Sequence, residues 1–118
     1  MTTFAQSRHA DIARYFLDKS AREFTTGDEL NGAELLWGAA AHALIAVALE
    51  HGWHYDSQGA LRYVIRQLAS LHGRPQWFSD FNTAESFHAH FYHGRLAANE
   101  IVSDRPKVAR FVNRLLSL

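Results

Sequence analysis

The sequence predicts an all-α protein, an antiparallel bundle of the four-helix type with about five helices. Three observations predict it. Apolar residues recur at three-and-four spacing along most of the chain, a glycine or capping residue stands at the breaks in that pattern, and no stretch alternates as a strand does. With 118 residues there is room for one core and no second, so residues 1–118 read as a single domain.

From about His9 to Thr25, Ala13, Phe16, Leu17, Ala21 and Phe24 line one helix face, and Asp11, Arg14, Asp18, Lys19 and Arg22 take the other. Gly27 suits the left-handed conformation that ends a helix, and Asp28 suits the N-cap of the next. The second helix, about Asp28 to His51, is apolar nearly all round from Ala33 to Leu49, which makes it the central one. Gly38 and its many alanines let neighbours approach closely, while Trp37, Leu44 and Leu49 fill the gaps. Its most apolar stretch, Leu35 to Leu49, is interrupted by His42 and falls short of the roughly 18 to 20 residues a bilayer span requires, so it reads as a core helix. Gly52 stops it.

Ser57 caps a third helix with the stripe Leu61, Val64, Ile65, Leu68 and Leu71, closed by Gly73-Arg74-Pro75. A fourth begins near Pro75 or after Phe81 and carries Ala84, Phe87, Phe91 and Ala98 on one side, with Trp77, Phe78 and Phe81 as an aromatic lead-in. Ser103 or Asp104 caps the last helix, with Pro106 in its first turn and Val108, Phe111, Val112 and Leu115 facing inward. No second copy of any unit stands at the repeat distance of about 34 residues, so a tetratricopeptide array is not expected.

Composition narrows the function classes. With 47% hydrophobic and 20% charged residues, the chain has the make-up of a folded globular protein. The absence of cysteine removes disulfides, thiol nucleophiles and Cys-based zinc sites. Twelve Lys plus Arg balance twelve Asp plus Glu, so there is no DNA-binding signal, and any RNA contact has to use a local patch. Met1 to Ser7 lacks the pattern of a secretory signal, so a cytoplasmic location with no membrane partner is the expectation. Eight His carry the molecule toward net positive charge as pH falls.

The densest chemistry lies from Glu85 to Arg95, where His88, His90, His93, Tyr92 and Arg95 fall within three helical turns. At 100° per residue, His90 and His93 share one face, and Glu85, His88 and Tyr92 share another. Glu85-x-x-His88 has the spacing of carboxylate-bridged di-iron bundles, but such a site needs two copies and only one exists. A mononuclear site on His90, His93 and a residue from another helix is the weaker alternative, and the expectation is no metal and no other cofactor. Glu34 and His42 are polar groups in an apolar helix and call for partners on neighbouring helices, with Tyr92 or Arg95 as candidates. No P-loop, Rossmann glycine pattern, zinc-protease motif or Ser-His-Asp order is present.

Two segments, Gly27 to Leu44 and His88-Ala89-His90-Phe91-Tyr92-His93-Gly94-Arg95-Leu96, resemble the cleft helix and last bundle helix of HEPN-type domains. The resemblance implies a homodimer that binds a nucleotide, RNA or protein partner in a cleft between the second and fourth helices, lined by Glu34, Trp37, His42, His90 and Tyr92. Active HEPN ribonucleases carry an Arg followed about a turn later by a His. Here His88, His90 and His93 precede Arg95, so that order is absent from the matching segment. Arg66 and His72 have the right order but lie in the third helix. The reading is therefore a non-catalytic binding domain. The alternatives are a metal-independent ribonuclease, with His88 or His93 as base and Arg95 on the phosphate, and a purely structural interaction module.

Overall fold

The computed structural model describes residues 3–118, and among them the chain forms five helices and no strand. Met1 and Thr2, the start of the segment tested for a signal, lie outside the described residues. The helices are α1 (Phe4–Thr26), α2 (Glu29–His51), α3 (Gln58–His72), α4 (Gln76–His93) and α5 (Ala98–Leu116).

Local chemistry sets most boundaries. Asp28 accepts from Asn31 N–H at 3.2 Å and Ser57 from Ala60 N–H at 3.0 Å, each answering a backbone donor that helix geometry leaves free. Gly27 ends α1 with φ at 93°, a region that penalises any side chain.

Three boundaries differ from the sequence reading. Helix α1 starts five residues before His9, because Thr3 and Gln6 form a reciprocal capping box: Gln6 N–H donates to Thr3 Oγ1 at 3.2 Å and Thr3 N–H to Gln6 Oε1 at 2.6 Å. Helix α4 ends at Gly94, so Ala98 opens α5 and is exposed instead of lining α4. Pro106 accordingly sits well inside α5, where its missing N–H strands the carbonyl of Val102, a residue on the solvent side. Two stripe residues also fall outside the core. Ala21 is exposed while the neighbouring Ser20 is buried, and Leu71 is exposed at the end of α3.

Helix α2 packs against all four others and forms the centre of the bundle. Over its full length it reaches a mean hydropathy of 1.6 across an 18-residue window, enough by length and composition to cross a membrane, which the shorter Leu35–Leu49 window missed. Here that surface is covered by neighbours: Leu36, Trp37, Ala40, Ala43, Leu44 and Val47 are buried. Gly32 and Gly38 let α1 come close, with the rings of Phe24 and Phe16 occupying the space a Cβ would need. Ser20 is buried at the same contact and satisfied by donating to the Gly32 carbonyl at 2.7 Å. Phe81, Phe87 and Phe111 fill the α2–α4–α5 side of the core.

Candidate functional site

Helices α2 and α4 bring four of the predicted residues together. His88 Nδ1 lies 2.7 Å from Glu34 Oε1, with both side chains about a quarter exposed. The carboxylate only accepts, so Nδ1 carries a proton, and in the neutral ring Nε2 is the acceptor. Trp37 packs on one side of the imidazole at 5.4 Å between ring centres, and Tyr92 meets it edge-on at 5.2 Å. Trp37 is buried whereas Tyr92 is exposed, so the cluster runs from the core to the surface. The partner of Glu34 is thus His88, not Tyr92 or Arg95.

His90 serves a different purpose. Its side chain is 3% exposed, Nδ1 accepts from Leu96 N–H at 2.9 Å, and Nε2 faces Glu29 Oε2 at 3.1 Å. Because Nδ1 accepts, Nε2 must hold the proton and donate to Glu29. One imidazole therefore ties the α4–α5 connection to the first turn of α2. His93 and Arg95 are exposed at the end of α4 and just beyond it.

His42 lies apart, on the side of α2 that faces α1. Its Nδ1 is 2.9 Å from His9 Nδ1, the two rings stack at 5.1 Å, and Phe16 closes edge-on at 5.4 Å. Burial lowers the pKa of both imidazoles; Arg8 adds to the effect on His9, and His9 adds to that on His42. Neither Tyr92 nor Arg95 reaches His42.

Glu85, the other half of the di-iron spacing, turns away from His88. It pairs with Arg62 and accepts from Gln58 Nε2 at 3.2 Å. Among the described residues no three His, Asp or Glu side chains gather as metal ligands.

Two surfaces have no counterpart in the sequence reading. The outer side of α1 borders an open apolar groove of about 550 Å³, with Phe4, Ile12 and Tyr15 along it and Phe16 and His42 at its base. On another side of the bundle, His72, Arg74, Trp77, Arg110 and Arg114 surround a groove of about 540 Å³. The four-residue spacing of Arg110 and Arg114 signals a shared helix face, but nothing local in the sequence signals that the α3–α4 turn lies opposite.

Among known proteins, the model of the archaeal PaREP1/PaREP8 family matches residues 8–112, from α1 to near the end of α5. No curated protein and no solved structure matches the chain. The family match spans all five helices, and the chain belongs to the archaeal PaREP1/PaREP8 family.

Proposed function

We propose that this chain is a non-catalytic, HEPN-like binding domain that works as a homodimer, with α1 as the dimer helix. The observation that supports the reading is the pattern along the outer face of α1. Phe4, Arg8, Asp11 and Tyr15 stand along its groove at three-and-four spacing, with Phe4 83% and Tyr15 54% exposed. Large aromatic side chains left in water are more costly than the same rings in an interface. The stripe is also self-complementary. About a two-fold axis between Arg8 and Asp11, an antiparallel second copy sets Phe4 against the partner's Tyr15 and Arg8 against the partner's Asp11, the isologous arrangement a symmetric dimer requires. The resemblance of α2 and α4 to HEPN-type domains, which pair two-fold, agrees with this. Light scattering at micromolar concentration tests it: a dimer mass that falls to a monomer in Tyr15→Glu is expected, and a monomer mass for the unaltered protein overturns the reading.

A second reading, a metal-independent endoribonuclease, draws on one observation. Glu34 holds His88 with Nε2 as acceptor, the orientation of a general base, although no Arg precedes it in the usual order. Cleavage of end-labelled single-stranded RNA in EDTA, lost in His88→Ala and kept in Arg66→Ala, supports this reading. No cleavage by the unaltered protein removes it.

A further inference from the structure

We infer that the groove between the α3–α4 turn and the last turns of α5 binds the phosphate end of a nucleotide-sized ligand. It rests on the reading of the chain as a binding domain but not on dimerisation through α1, which is at a different place on the bundle. Arg74 comes from the turn, and Arg110 and Arg114 stand one helical turn apart on α5. Among the described residues none of these three guanidinium groups makes an ion pair, whereas Arg14, Arg62 and Lys107 all do. Guanidinium forks match phosphate oxygens in geometry as well as charge.

Trp77 supplies an independent observation. Its side chain lines both this groove and the adjoining cleft of about 140 Å³, which shares Arg110 and Arg114. The residue is 4% exposed, and its Nε1 is the one buried side-chain polar atom among the described residues with no hydrogen-bond partner. Buried donors are rarely left unanswered, and this one, on a residue that lines the cleft with Arg110 and Arg114, meets no acceptor. A phosphate oxygen is such an acceptor. His72 packs on Trp77 at 5.3 Å and gives the groove an aromatic end on which a base can lie. The acid facing the cleft is Asp80, and burial raises its pKa while Arg114, Arg110 and Lys107 pull it back down. The larger space, about 540 Å³, is within the size range of small-ligand sites, about 300–1,000 Å³.

The test is titration of the full-length protein with AMP, inorganic phosphate and adenosine, read on the indole N–H signal of Trp77 in proton–nitrogen NMR and assigned by its loss in Trp77→Phe. The expected result is a saturable shift with AMP, a weaker one with inorganic phosphate, and none with adenosine. Arg110→Ala/Arg114→Ala changes two exposed side chains and is expected to weaken AMP binding at least tenfold with an unchanged thermal melt. An unmoved indole signal with AMP, an equal response to adenosine, or unaltered AMP binding by the double variant overturns the proposal. None of these results bears on the mass of the α1 dimer.

Discussion

His9 and His42 meet nitrogen to nitrogen, Nδ1 to Nδ1 at 2.9 Å, across the α1–α2 contact. Two N–H groups cannot face each other at that distance, so one ring donates and the other accepts, and the doubly protonated pair has no place in the fold. The pair consequently couples stability to pH.

Both imidazoles have a folded-state pKa below the ordinary value, with burial as the main cause. The unfolded chain then binds more protons as pH falls below about 6.5, so the stability this pair contributes is present above that pH and is lost as pH falls through the lower, folded-state values. Melting temperature is expected to hold from about pH 8 to pH 7 and to drop as pH falls below about 6.5, and to drop less in His9→Gln/His42→Gln. Asp80, whose pKa burial raises, acts with the opposite sign but is present in both proteins, so it drops out of the comparison. Equal pH slopes for the two proteins count against the pair as the source.

Gly32 is a contact residue and not a hinge. A Cβ there lies 2.8 Å from the Phe24 ring. Overpacking costs about 1–3 kcal/mol, set against about 1 kcal/mol gained in helix propensity, so Gly32→Ala is expected to destabilise by about 1 kcal/mol in urea unfolding. A stabilised variant refutes the close approach of α1 to α2.

His90→Ala removes two hydrogen bonds and a buried ring at once. Leu96 N–H loses its acceptor and Glu29 its donor, so the loss expected by chemical denaturation is about 2–4 kcal/mol. The segment from Gly94 to Ala97 also loses its tie to α2, and limited proteolysis is expected to cut there first. Cleavage that begins elsewhere, with stability unchanged, assigns the ring no such role.

The proposed α1 pairing makes a reciprocal prediction. Arg8→Asp and Asp11→Arg each put like charges opposite one another across the two-fold axis, weakening the dimer by about tenfold. The double variant Arg8→Asp/Asp11→Arg restores opposite charges and is expected to recover the dimer mass in analytical ultracentrifugation. If all three variants behave alike, Arg8 and Asp11 do not face each other.

The helical elements were legible along the chain because their signals are local. A 3.6-residue apolar period, Asp28 and Ser57 at N-caps, and Gly27, Gly52 and Gly73 in left-handed caps each act within a few residues. The all-round apolar α2 marked itself as central for the same reason. The start of α5 was hidden because its N-cap is an alanine. Glu100 instead reaches back to accept from Ala97 N–H at 3.0 Å, and no capping residue stands at the cap position itself.

The roles of the polar residues, by contrast, emerge from packing between helices. His9 meets His42 across 33 positions, His88 meets Glu34 across 54, and His90 meets Glu29 across 61. Helical periodicity gives the face a residue occupies, but which side chain lies opposite depends on the rotation and offset of whole helices. Those are set by packing: Phe16 and Phe24 fill the space left by Gly38 and Gly32, and the aromatic core of α4 fits against α2. The same packing places Arg74 of the α3–α4 turn beside Arg110 and Arg114, a proximity that exists only once the bundle has closed.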